Sequence, residues 1–229
     1  MVEEWLGYLF ETVKDRTVPE IAWVMRFLVL IALWTAFCFL HSFMITPVFT
    51  DFVKKNTGTS YGYYRLFYNI FSTLFLVPVL IYSYSIIEKP FFSWHGYFLS
   101  IRYLMLLGGL WIFYAGSRHY NMRTFVGINQ IHEGVNHGLI NTSGKIEKGG
   151  IMAVVRHPFY SGSFLLIWAG NLDTTRLIIN IILSLYLVVG TVLEEQKLLA
   201  EFGDVYRNYQ KEVSMLFPWK YLKSQIKST

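Results

Sequence analysis

Three long apolar runs of bilayer length, the first interrupted early by Arg26, constrain this chain more than any other feature. They are Ile21 to Met44, Leu66 to Ile87 and Phe98 to Gly116. At 1.5 Å per residue a helix over each reaches across a hydrocarbon core of roughly 30 Å. A shorter pair follows, Phe159 to Ala169 and Leu177 to Leu193, joined by Asn171 to Arg176. Phe159–Ala169 is short for a full span, so it either extends back through Pro158 or dips in without crossing; both outcomes return the chain to the side it came from. Only 15% of the 229 residues are charged and 54% are hydrophobic, against about 25% charged in soluble domains. That excludes a disordered chain and argues against a soluble one. The expected fold is an all-α integral membrane protein of about five transmembrane helices, with a C-terminal helical hairpin and a cytosolic amphipathic helix.

The stretch before the first run is acidic (Glu3, Glu4, Glu11, Asp15, Glu20) and the run exceeds a signal-peptide core, so it reads as a retained helix. With five helices and the N-terminus outside, fourteen of the twenty Lys and Arg fall on inside segments and four on outside ones. The positive-inside bias therefore predicts an outside N-terminus and a cytoplasmic C-terminus. The net charge of +5 follows this topological pattern rather than forming the concentrated basic face that nucleic acid needs. Cys38 is the single cysteine, which precludes an intrachain disulfide and reads as a small hydrophobe. Residues 1–116 and 117–229 form the two parts of one membrane domain.

Chemistry is expected where the long polar stretches 117–157 and 195–229 meet helix ends on the same face. In the first, Gly149-Gly150 permits a tight turn or a close ligand approach. Pro158 pushes His157 away from helix and starts the next one. Arg156 and His157 then stand at a helix N-terminus, a natural place for a carboxylate or phosphate. In the second, Glu194-Glu195 ends an apolar helix, and adjacent helical positions point about 100° apart. One carboxylate can therefore face a cationic ligand while the other pairs elsewhere, with Tyr206 and Tyr209 closing over the site. Leu198, Phe202 and Tyr206 form an apolar stripe of a surface-lying helix, and Gly203 interrupts it as a hinge or a plain break. The stretch His132-Glu133-Gly134-Val135-Asn136-His137 imitates a zinc motif, but the histidines are five apart rather than four; no metal is expected.

Two segments resemble the isoprenylcysteine carboxyl methyltransferase-like family of membrane methyltransferases. One carries Gly150, Arg156, His157, Pro158, Tyr160 and Gly162; the other Glu194, Glu195, Leu198, Phe202, Gly203, Tyr206 and Tyr209. Met152 stands where the family usually has an aromatic residue. The resemblance covers about residues 145–218. Leu40-His41-Ser42, Tyr64-Arg65-Leu66 and the run Arg118 to Gln130 look like the subgroup that contains methanethiol S-methyltransferase and denitrification-associated membrane proteins.

The resemblance implies an enzyme that takes a methyl group from S-adenosylmethionine to a small or lipophilic thiol or carboxylate. It implies that Gly150, His157, Pro158, Tyr160, Gly162, Glu194 and Glu195 bind the donor, that Arg156 and Glu195 serve catalysis, and that Tyr206 and Tyr209 meet the acceptor. Partners are then the donor, the acceptor and the lipid bilayer. The alternatives are an NADPH-dependent membrane reductase of related fold, which the Glu194-Glu195 pair disfavours by repelling phosphate, and a non-catalytic membrane accessory protein. Pro78 and the Gly108-Gly109 pair predict a lateral gap between the second and third helices for a lipid-borne acceptor, and a separate cytosolic entrance for the donor.

Overall fold

A computed structural model describes the backbone of residues 2–133 and 148–228, and the side chains of 20–131 and 148–226. The described chain is helical. Helix α1 (Val2–Met44) runs straight through the acidic stretch into the first apolar run. Helix α2 (Pro47–Thr57) starts on a Thr46 side-chain cap and leads through a 3-10 turn (Gly58–Tyr63) into α3 (Tyr64–Ser85), which carries Pro78 inside it. Then come α4 (Phe98–Ser117), two short helices α5 (Met122–Val126) and α6 (Ile128–Glu133), a 3-10 turn Gly150–Ala153, and α7 (Pro158–Trp168). The chain closes with α8 (Thr174–Phe202), α9 (Asp204–Glu212) and α10 (Trp219–Ser228).

Four segments are long and apolar enough to cross a membrane: Glu20–Met44, Pro47–Ser85, Phe98–Ser117 and Thr174–Phe202. On α4, Leu104, Leu107 and Trp111 are all more than half exposed, a continuous apolar surface that suits lipid rather than water. Packing runs in the order α3, α1, α8, α7, α4. At the α1–α3–α8 junction lies a core of Phe27, Leu30, Trp34 and Val79, with Ile178 and Ile182 against it. Trp34 donates from Nε1 to Ser83 Oγ at 3.0 Å, tying α1 to α3.

The short arm has a specific solution. Helix α7 has 11 residues, about 16 Å of rise, roughly half of a bilayer core. The chain then leaves α7 through a turn at 169–170 and a three-residue segment, 171–173, that leads directly into α8. That segment is satisfied by the α3–α4 loop: Phe91 and Phe92 donate their N–H groups to the Leu172 carbonyl, and Leu172 N–H returns to Phe92 O at 2.9 Å. Trp94 adds bonds to Asn171 Oδ1 and the Gly170 carbonyl. Irregular backbone within a membrane protein persists only when protein satisfies its polar groups in this way.

The glycine pair of α4 does not line a gap. A Cβ on Gly109 would meet Leu166 at 2.9 Å and the Gly162 carbonyl at 3.1 Å, and one on Gly116 would meet Pro158 at 3.2 Å. Gly108 and Gly109 therefore bring α4 against α7, the close approach that small residues allow. The α4–α7 contact in turn sets where Pro158, and so His157 and Arg156, stand.

Candidate functional site: the Arg156–Glu195 crossing and its aromatic cavity

Local backbone chemistry builds one wall of the site. Gly150 adopts φ +55°, where a side chain is strained, and a Cβ there would also lie 2.8 Å from His119 Nε2. Pro158 has no N–H to lose and opens α7 at its first position. Residues 155–157, held extended before it, pair with the C-terminal segment: Arg156 N–H reaches Ser214 O at 2.9 Å and His157 N–H reaches Met215 O at 3.2 Å. Ser161, one turn into α7, donates to Leu216 O at 2.6 Å. The motif loop is thus stitched to residues 214–216, a pairing with no signature in either segment.

The other wall is the end of α8. Glu195 Oε1 accepts from Arg156 Nε at 2.7 Å, from Arg156 Nη2 at 2.6 Å, from His157 Nε2 at 3.0 Å and from the Tyr206 hydroxyl at 3.1 Å. Its Oε2 accepts from Gln210 Nε2 at 2.8 Å. Arg156 also donates to the Gln210 and Val213 carbonyls. The pair is nearly closed to solvent, with side chains 6% and 12% exposed. Arg156 and Glu195 thus fasten α7, α8 and α9 together. Glu194 behaves differently: its side chain is 34% exposed, its carboxylate stands 3.6 Å from His157 Nδ1, and it lines a cavity.

That cavity is lined by Tyr120, Met152, His157, Glu194, Phe202 and Tyr206, with His119, Arg156, Leu198 and Tyr209 completing it. Its volume is about 30 Å³, below the 300 Å³ or so at which ligand pockets begin. On the far side of His119 lies an open groove of about 510 Å³, walled by Trp111, Tyr114, Arg118 and Gly150. Glu194 is the carboxylate that faces the cavity, so a cationic group entering it meets an anion and several π faces.

Burial would lower the His157 pKa, but its bonds to Glu194 and Glu195 more than offset this and raise it above the usual 6.5. Burial pushes the Tyr209 phenol up to about 12 against the pull of Arg156, and Tyr206 is raised by burial and by Glu195. Both therefore remain neutral donors. Tyr209 uses its hydroxyl on Met152 O at 2.6 Å, holding the Gly150–Ala153 turn.

The expected site residues converge, but in distinct places. Arg156, His157, Glu194, Tyr206 and Tyr209 surround the cavity, and Glu195 stands behind it. Pro158 and Gly162 face α4, where Gly162 would clash with Phe113 at 2.8 Å if it carried a Cβ. Tyr160 packs beside His157, ring centroids 5.8 Å apart. Gln210 was not expected from the sequence, and His119 and Tyr120 belong to the Arg118 to Gln130 run, where no motif assigns either a role in donor binding. Gln210 lies one position beyond the repeating tyrosines, and no spacing rule flags it. The His132–His137 stretch lies outside the described side chains. Gly203 separates α8 from α9 at φ +53°, ψ −127°, a helix break, so an alanine there would strain the link rather than extend a helix.

Comparison with known proteins adds an independent likeness. Methanethiol S-methyltransferase 2 of Bradyrhizobium diazoefficiens is 28% identical over 196 residues, 83% of this chain and 73% of that protein. The chain is similar in sequence to several proteins named methanethiol S-methyltransferase. Methanethiol S-methyltransferase 1 of the same organism is 37% identical over 93 residues, 39% of this chain. The Pseudomonas deceptionensis protein is 42% identical over 66 residues, 28% of this chain. These two matches span only 33% and 25% of those relatives' own length. No family model and no solved structure matches the chain. This likeness bears out the resemblance carried by the two motifs.

Proposed function

We propose that this protein is a membrane methyltransferase that moves a methyl group from S-adenosylmethionine to a small thiol, methanethiol by its relatives' name. The observation that carries the reading is the convergence of Arg156 and His157 with Glu194, distant in sequence, on one aromatic-walled cavity in a chain similar to such enzymes. The donor supplies a methyl group already activated on a sulfonium. Around it, Glu194 accepts the amino group, and the faces of Tyr120, Tyr206 and Phe202 hold the positive sulfur, each contact contributing about 0.5–2 kcal/mol. Arg156 and Glu195 keep these walls in register, since alignment of the reacting atoms within about 3–3.5 Å is the main contribution a protein makes to such a displacement.

The charged and aromatic lining fits the chemistry, while the cavity itself, about 30 Å³, is smaller than a ligand pocket. Swinging His119 aside would join the cavity to the groove beside Gly150, and together they reach the size of a ligand pocket. With the motifs on the face richest in Lys and Arg, the donor enters from the cytoplasm, the N-terminus lies outside, and the 158–202 hairpin returns the chain to the cytoplasmic face. The test is calorimetry of purified protein with S-adenosylmethionine and NADPH, followed by transfer of labelled methyl to methanethiol. Donor binding in the micromolar range with a labelled thioether product is expected. Binding of NADPH alone, or of neither, would overturn the reading.

A further inference from the structure

Deeper along α8 from the donor site, Tyr186, Gly190 and Glu194 follow one another at intervals of four and share a face. Gly190 leaves a notch there: a Cβ would touch only the Tyr160 hydroxyl, at 3.9 Å. Tyr160 links the two regions, since its hydroxyl faces both Glu194 and Tyr186. One turn before Gly190 on α8, the Tyr186 hydroxyl lies 2.9 Å from Ser42 Oγ, and its ring centroid is 6.4 Å from that of His41. The Tyr68 hydroxyl stands 2.9 Å from His41 Nε2 and 3.1 Å from Nδ1. A phenol donates one proton, so it satisfies one ring nitrogen at a time and leaves the other for a second partner. An ionisable side chain within a membrane-spanning helix is costly and marks a working position.

We propose that the Gly190 notch receives the acceptor's sulfhydryl group and that His41 takes its proton. The inference rests on the thiol methylation proposed above. The S–H bond breaks and its proton passes to a ring nitrogen of His41. The electron pair left on sulfur forms the new S–CH₃ bond while the methyl–sulfonium bond breaks and its pair returns to the donor sulfur. His41 lies three residues from the end of α1, where it hands the proton to water. Tyr68 positions the ring. The groups that face this assembly are Arg65 and Tyr68 of α3, Tyr186 of α8, and Cys38 of α1 beside Tyr186.

The experiment compares an alkanethiol, which needs a base at neutral pH, with an arenethiol, which is already ionised there. His41→Gln is expected to slow the alkanethiol about 100-fold, to leave the arenethiol within about threefold, and to leave donor affinity within about twofold. Tyr68→Phe should give a smaller loss confined to the same acceptor. Gly190→Val should raise the acceptor KM with donor affinity unchanged. A readout without turnover is the ultraviolet absorbance of bound thiolate in the complex with S-adenosylhomocysteine, which His41→Gln should shift to higher pH. Equal losses on both thiols in His41→Gln and Tyr68→Phe, with donor affinity retained, would assign these residues to packing between α1 and α3 and overturn the inference. A wild type that binds the donor yet methylates neither thiol would instead overturn the thiol reading on which it rests.

Discussion

The two ends of the helical bundle carry arginine–carboxylate pairs of almost equal length that do different things. Arg156 and Glu195 meet at 2.6 Å with both side chains nearly buried. Arg26 and Glu88 meet at 2.7 Å with side chains 37% and 28% exposed. The first pair is embedded in bonds from His157, Tyr206 and Gln210 and from two backbone carbonyls. The second adds Trp23 Nε1 to the same carboxylate at 3.0 Å and the faces of Trp23 and Phe27 against the guanidinium. Distance alone does not rank them. Desolvation and the number of satisfied partners do, because a buried charge stripped of its mate has no water to replace it.

The sharpest break of this comparison is Arg156→Met. It leaves Glu195 buried without its cation and frees the 213–216 segment, and equilibrium unfolding in mixed micelles should show a loss of about 3–5 kcal/mol. A loss below about 1 kcal/mol would mean the pair behaves like an exposed one. The adjacent carboxylates sharpen it next. Glu194→Gln should weaken donor binding by roughly tenfold or more, the cost of a charge-assisted contact of about 1.5–3 kcal/mol, with a smaller loss of stability through His157 than Glu195→Gln gives. Glu195→Gln should do the reverse, lowering stability while donor affinity, read by calorimetry, holds. An exchange of those two phenotypes would reverse the roles assigned here.

His157 supplies a smaller, pH-dependent effect. Its folded pKa is raised above 6.5, so its contribution is complete below that unfolded value and disappears as pH climbs through the folded one. Thermal unfolding of the wild type should therefore decline across that window, and His157→Gln should flatten the decline. A profile rising with pH over the same range would contradict the charged pairing. Smallest of all, Arg26→Met should cost under about 1 kcal/mol, and its effect should shrink with salt.

Much of the site was legible before any coordinates. Arg156-His157-Pro158 announces a helix start because proline fixes its own φ and lacks a donor. Glu194-Glu195 at the end of an apolar run announces that at least one carboxylate needs a partner. Neither pattern indicates which carboxylate that is. Helix α8 is turned by its contacts with α7 and α9, which aim position 195 at Arg156 and position 194 at the cavity. The Gly108-Gly109 pair illustrates the same gap in reverse. Small residues suit a gap or a close approach equally, and only the structure shows Leu165 and Leu166 of α7 against the pair, so the lateral opening expected there is filled. The sequence marks the arm as short for a full span, while the bonds that satisfy the backbone after it, to Phe92 and Trp94, come from a loop some eighty residues away.

The sequence by itself determined the helical character, the helices long and apolar enough to cross a membrane, the break at Pro158 and the resemblance that points to methyl transfer, because these follow from apolar run length, backbone restriction and local motif. The tertiary structure decided which side chains are consumed in mutual pairing and which remain for a ligand. That choice depends on helix rotation and on contacts between segments 38 to 57 residues apart, where burial removes water as an alternative partner and leaves each polar group with whatever the fold brings beside it.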